Sequence, residues 1–246
     1  MKTEYVSMKK YLFAFILCSQ FSFSQSTDHL NTVLKQLKIK KSEIHQELFT
    51  QKILPYDKSK SVLVIPKYDI NEQDNEGHDY FVLDAYIIVI DNATGKIISQ
   101  FIEPNAWTSD ALVLSSISID TGLYHLNTTT RAFGVRVSYN GSSRPNPFSE
   151  THLSLYIIDK NSFKPVLKNY SISRSGGEWD TNCAGEFEDR NSTFDIDKTQ
   201  TNNYNNIIVK TTTVKSISTP TNDDCVSKET TKKVTSKLIF NGKEYK

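Results

Sequence analysis

Tyr80–Gln100 reads YFVLDAYIIVIDNATGKIISQ. From Phe81 to Ile90 nearly every residue is apolar, aromatic or β-branched, with Asp84 as the exception. Such residues fit a pleated surface, and an unbroken apolar run implies burial on both faces. A buried helix is the competing reading, because periodicity alone does not separate the two. The run is only about ten residues long and a turn signal closes it, which decides for a strand. Asn92 and Gly95 tolerate positive φ, as a hairpin turn requires. Ile97, Ile98 and Phe101 then bring the chain back. A central β-hairpin follows, against which the rest of the chain is laid. Asp84 inside it is either a local polar contact or a site residue.

Upstream, Ser26–Gln51 is the one convincing helical region. Leu30, Val33, Leu34 and Leu37 recur at helical spacing. Ser26, Thr27 and Asp28 can cap its start. Lys35, Lys38, Lys40 and Lys41 crowd its end, where cations suit the helix dipole. A second short helix is expected from Ser42, carrying Ile44 and Leu48. Downstream, SVLVIPKY (61–68), ALVLSSISID (111–120), RAFGVRVSY (131–139), His152–Asp159 with Phe163–Ser173, and the long polar stretches Asn205–Ser218 and Val226–Phe240 read as strands. Glu103–Asp110 and Gly176–Arg190 read as loops, the second of them acidic. About ten to twelve strands at fairly regular spacing predict a mainly β chain, an antiparallel sandwich, barrel or propeller-like meander with an N-terminal helical segment. The expected division is a leader over 1–25, a helical segment over 26–52 and an all-β domain over 53–246.

The leader reading rests on Lys9 and Lys10 before the apolar run Tyr11–Leu17, followed by small and polar residues to Gln25. That order is a secretory signal peptide. Its apolar core is too short to span a bilayer as a helix. Met8 offers an alternative start. Cys18 raises lipidation, but the bulky Leu17 before it fits poorly. Export to the periplasm or outer cell surface is therefore expected, with no transmembrane segment. Removing residues 1–25 takes away Lys2, Lys9, Lys10 and Glu4, which turns a formal charge of +1 into about −1. A near-neutral chain gives no reason to expect a nucleic-acid or anionic-membrane partner.

Of the three cysteines, Cys183 and Cys225 remain after the leader. In an oxidising compartment such a pair is expected to form a disulfide. Neither has a CxxC companion, so a metal site is not expected.

No catalytic motif is present. His29, His45, His78, His125 and His152 are scattered and form no HExxH, and there is no GxSxG, GxGxxG or P-loop. Glu178 with Asp180, or Glu186 with Glu188, has the residue types of a glycosidase pair without its signature spacing. The acidic stretch Asp69, Glu72, Asp74, Glu76, Asp79 matches no EF-hand loop and reads as a solvated loop. No catalytic residue, metal or cofactor is expected.

The unusual chemistry is in the second half. All five arginines lie at 131, 136, 144, 174 and 190, and both tryptophans, Trp107 and Trp179, flank or join that region. Arginine presents a planar fork, and Arg, Trp and Tyr are the usual material of binding hot spots. The candidate ligand-binding set is Trp107, Arg131, Arg136, Tyr139, Arg144, Trp179 and Asp180. The competing reading is that the arginines pair with Glu178, Asp180, Glu186, Glu188 and Asp189.

The stretches SSISIDTGLYHLN (115–127), TRAFGVRVSYNGSSRPNP (130–147) and GEWDTNCAGEFE (177–188) resemble those of uncharacterised exported proteins from Gram-negative bacteria. The leader's end, FSFSQ (21–25), is similar to signal peptides of Bacteroidota. The resemblance covers about half the chain; it implies a location and no activity. The functional expectation is a β-rich binding protein of the envelope, of the inhibitor or immunity type toward a cell-wall enzyme. The alternatives are a carbohydrate-binding module or glycoside-directed enzyme using the tryptophans and the acidic loops, and a structural envelope domain. The partner expected is a protein or a cell-wall glycan.

Overall fold

The computed structural model describes residues 25–73, 79–159, 162–222 and 224–246. The leader, Cys18, the stretch holding Asp74, Glu76 and His78, and the Lys160-Asn161 turn lie outside them. Among the described residues eleven strands follow one α-helix, α1 (Gln25–Leu37). Strands β1 (Thr50–Leu54), β2 (Asp57–Gln73), β3 (Asp79–Asp91) and β4 (Ile97–Ser109) form one sheet. Strands β5 (Leu112–Asp120), β6 (Phe133–Gly141), β7 (Phe148–Asp159), β8 (Ser162–Trp179), β9 (Gly185–Thr201), β10 (Tyr204–Thr221) and β11 (Asp224–Leu238) form a second. In both sheets spatial order is chain order and all pairings are antiparallel. The fold is an all-β double-sheet meander, not closed into a barrel.

The hairpin expected at Tyr80–Gln100 is β3–β4, and β3 is buried on both faces for an identifiable reason. Leu83, Ala85, Ile87 and Val89 face the second sheet, against Phe133, Val135, Val137 and Tyr156. Ile88 and Ile90 point the other way, under Leu30, Val33 and Leu34 of α1. The helix thus covers the outer face of the first sheet. Gly95 takes the positive φ of the turn, at +66°; Asn92 does not, and its amide instead donates to the Ser59 carbonyl. Asp84 is the local polar contact: its carboxylate accepts the amide of Asn105 at 3.0 Å, where β3 and β4 slip register.

The chain turns from one sheet to the other at Asp110–Ala111. Asp110 and Ser109 hold that corner by accepting the amides of Leu112 and Leu114. A further core lies on the opposite face of β7, where Leu153, Leu155 and Ile157 alternate with Tyr156. It is roofed by Tyr124 and Leu126 from the β5–β6 connection and by Phe240 and Tyr245 from the C-terminus. Tyr245 fastens that tail, donating its backbone amide to Val166 and its hydroxyl to Asn205.

Three local expectations are corrected. The second short helix is only a 3-10 turn, Lys41–Glu43, and Ile44 bridges to Lys67 of β2. Glu103–Asp110 is the end of strand β4 rather than a loop. Gly176–Arg190 is the end of β8 and the start of β9, with a turn only at Asp180–Ala184. In Glu103–Ser109 Pro104 and polar residues hide the alternation of a half-buried strand, and in Gly176–Arg190 neither strand has a buried residue to create one.

Beyond the second core the large sheet continues as a wing. Among the described residues of β8 after Ile172, β9 up to Asp195, β10 after Lys210 and all of β11, none is buried. Both faces of this wing meet solvent. Cys183, buried in the β8–β9 turn, and Cys225, at the start of β11, have sulfur atoms 2.08 Å apart and tie the outer hairpin to that turn.

Candidate functional site

The candidate residues divide into three places. Trp107 is 6% exposed and packs in the inter-sheet core, paired with Leu83 across β3–β4. It is a core residue. Tyr139 packs at that core's edge, its ring 6.1 Å from His152, and burial pushes its hydroxyl up to about 12.

Arg131 and Arg136 meet at the turn that follows β5. Asp120 is its centre. Its carboxylate accepts the Arg136 Nε at 2.8 Å, the Tyr124 hydroxyl at 2.8 Å and the Gly122 amide at 2.8 Å. Burial would raise the Asp120 pKa, but these donors outweigh it and hold the carboxyl below its ordinary range. Arg131 donates to the carbonyls of Thr121 and Gly122 and lies over the Tyr56 ring at 4.3 Å. Both guanidinium groups are therefore engaged in fixing a turn.

Arg144, Trp179, Asp180, Cys183 and Cys225 gather at the corner of the wing. The Trp179 indole donates to the Arg144 carbonyl at 2.7 Å, and the Trp179 amide to the Pro145 carbonyl at 2.9 Å. Its ring is half-buried, 6.3 Å from Phe187. Asp180 accepts the amides of Asn182 and Cys183, which close the disulfide turn and lower its pKa. The Arg144 side chain is exposed.

The competing reading, pairing of the arginines with Glu178, Asp180, Glu186, Glu188 and Asp189, has one electrostatic trace: behind Lys215, Arg190 and Arg174 both help to lower the Glu188 pKa, while their closest contacts lie elsewhere. Arg174 stands over Phe148 at 5.2 Å, and Arg190 donates to Ser171 at 2.9 Å. Glu188 pairs instead with Lys215 at 2.9 Å.

The wing carries a shallow trough on the face that continues from Phe194 and Ile196 of β9. Residues directly opposite in a ladder share a face. Going outward across β8 and β9, that face shows Arg174 opposite Arg190, Gly176 opposite Glu188, and Glu178 opposite Glu186. Lys215, Ile217 and Thr219 continue it on β10. Two adjoining depressions of about 670 and 550 Å³ share Gly176, Gly177, Glu178 and Glu188, and Asn146–Phe148 closes one end. Gly176 leaves the floor bare. A Cβ there would meet the Phe148 ring no closer than 3.5 Å, whereas one on Gly177 would come within 2.5 Å of the Glu186 carbonyl. Glu178 and Glu186 form no ion pair among the described residues, although like charges directly opposite cost stability. The sequence presented the acidic residues as neighbours along the chain; cross-strand partners require the register, which only the fold supplies.

Among the described residues, none of the trough's lining side chains is a histidine, cysteine or aspartate. The nearest grouping of catalytic residue types is Ser171, Glu150 and His152, where Ser171 donates to Glu150 at 2.6 Å and His152 lies 3.3 Å from the same carboxylate oxygen. The carboxylate stands between the hydroxyl and the imidazole, so His152 does not take the place beside Ser171 that the base of a Ser-His pair holds. Among the described residues no set of His, Cys, Asp and Glu has the geometry of a metal site, and no helix is long and apolar enough to cross a membrane.

No protein-family model, curated protein or solved structure matches this chain.

Proposed function

We propose that the protein is an exported binding protein of the periplasm or outer cell surface that seats an extended segment of a partner protein across the wing. The trough carries this reading. It is an open, glycine-floored channel on a sheet with no core of its own to protect, and its tip is fixed by the Cys183–Cys225 bridge. A rigid, preformed surface loses little entropy on binding. A cell-wall enzyme held by an inhibitor- or immunity-type protein is the partner class that suits an exported chain of this kind. The glycan reading drew on Trp107, Trp179 and the acidic loops. With Trp107 in the core, Trp179 remains its aromatic support.

The test places a photo-activatable cross-linker at Thr219, in the trough, or at Thr193, whose register puts it on the other face. Capture of one discrete envelope protein from Thr219 but not Thr193, abolished by Gly176→Trp, is the expected result. Equal capture from both positions, or sedimentation with isolated cell wall that Gly176→Trp leaves unchanged, would exclude the trough as the binding surface.

A further inference from the structure

Among the described residues the two sheets have four edges, and three of them are blunted. β1 is five residues long and shifts register at Ile53–Leu54. β4 carries Pro104 and slips its register with β3 in two places. β5 slips at Leu114–Ser116, and Lys52 of β1 donates to its Ile119 carbonyl at 3.1 Å. Short length, proline and bulges are the usual means of keeping an edge from pairing with another chain. β11 is built differently. It runs fifteen residues, Asp224–Leu238, paired with β10 at every position and without a shift. Alternate N–H and C=O groups of such a strand face away from its neighbour. Both of its ends are already held, Cys225 by the bridge to Cys183 and Leu238 against the second core. A backbone fixed in this way loses little freedom when another strand joins it.

Charge decides which strand that is. β11 carries four lysines, Lys228, Lys232, Lys233 and Lys237, against Asp224 and Glu229. Lys237 pairs with Asp197 at 2.6 Å, whereas Lys228, Lys232 and Lys233 have no ion-pair partner among the described residues. Residues four apart in a strand share a face. Lys228 and Lys232 therefore stand on one side of the sheet, and Lys233 and Lys237 on the other. Cations flank the open backbone edge above and below. A second copy of β11 would bring the same excess of lysine, and like charges across a ladder are destabilising. We propose that β11 pairs by strand addition with an extended acidic segment of a partner protein, whose carboxylates alternate between the two rows of lysine. Main-chain hydrogen bonds supply the affinity, and charge selects the partner. The proposal does not rest on the trough, which lies on one face of the wing, whereas this edge opens between the faces.

The test is a titration of the protein with a fluorescent threonine–valine peptide that carries glutamates at the spacing of Lys228, Lys232, Lys233 and Lys237. Anisotropy gives the affinity, and hydrogen exchange of the complex gives the place. Saturable binding is expected, about tenfold or more tighter than for the same peptide with lysines in place of glutamates. It should weaken with added salt, and slow exchange at alternate amides of β11 while those of β1 and β5 are unchanged. Lys228→Glu/Lys232→Glu, both at exposed positions, should lose the preference for glutamate, and Gly176→Trp should keep it. Equal affinity for the two peptides, or binding undiminished when proline replaces threonine and valine, would overturn the proposal. So would loss of binding in Gly176→Trp, which would put the peptide in the trough, or a dimer in sedimentation that the peptide dissociates, which would make a second copy the occupant.

Discussion

The sandwich and the wing share the second sheet, yet they are held together by different means. In the sandwich, β6 places Phe133, Val135 and Val137 in the core and leaves Arg136 and Ser138 partly exposed. Phe133 is 1% exposed and stacks on Tyr156 and Phe163 at 5.8 Å. In the wing, β11 has no buried residue over its full length. Its order comes from an unbroken register with β10 and from ion pairs such as Lys237–Asp197 at 2.6 Å. The disulfide is added to these. The difference teaches that a strand needs no buried face if its neighbour is already fixed and its end is tied.

Several measurements would break or sharpen that contrast. The largest effect is expected in the sandwich. Phe133→Ala removes a fully buried ring and should cost about 3–5 kcal/mol, read as a lower urea midpoint for the whole protein. A shift smaller than about 1 kcal/mol would mean that the inter-sheet core does not govern global stability.

Next comes the bridge. Cys183 and Cys225 are separated by 42 residues. For a closed loop of that size the chain-entropy model gives about 4 kcal/mol. Cys225→Ser should appear as faster amide hydrogen exchange in β10 and β11, with β2 and β3 unchanged. Uniform acceleration through both sheets would show that the wing and the sandwich unfold as one unit.

A third prediction concerns Asp120. Its folded pKa lies below the ordinary 3.8 because Tyr124, Arg136 and Gly122 donate to the charged form. A depressed carboxyl contributes stability that is present above about pH 4 and lost as pH falls through the folded value. Asp120→Asn should cost about 1–3 kcal/mol at pH 7 and flatten the stability profile below pH 4. An unchanged acid profile would remove Asp120 from the account.

The smallest effects belong to the outer edge. Lys228→Val/Lys232→Val should change urea stability by only about 0.5 kcal/mol or less. It should nevertheless promote self-association in light scattering, because lysines on an edge strand discourage pairing with another chain. A monomer as soluble as wild type would show that the edge is guarded by something other than charge.

The contrast also explains what could be read from the chain. Where burial is on one or two faces, residue type reports structure: Phe81–Ile90 announced the double-sided strand and Leu30, Val33 and Leu34 the covering helix. Where burial is absent, the apolar pattern goes with it and only β-rich composition is left, which still marked Asn205–Ser218 and Val226–Phe240 as strands. Gly176–Arg190 has no apolar period because neither of its faces is covered, so it read as a loop. Glu103–Asp110 was obscured by Pro104 and by Asn105, which sits at a φ of +50° where the ladder slips. The Cys183–Cys225 pair followed from counting cysteines. The trough could not be anticipated, because Glu178 meets Glu186, and Glu188 meets Lys215, only through register.

The agreement of spatial order with chain order in both sheets bears on how the molecule is assembled. Each strand finds its partner in the segment just completed, so no strand waits for a distant one before it can pair. Short-range closure is fast and entropically cheap. Assembly can run from the N-terminal end toward β11, with the sandwich complete before the wing is laid down. Cys225 is in the last strand of that sequence. Oxidation of the pair would then mark completion, and the arrival of protected Cys225 thiols would time the final step of folding.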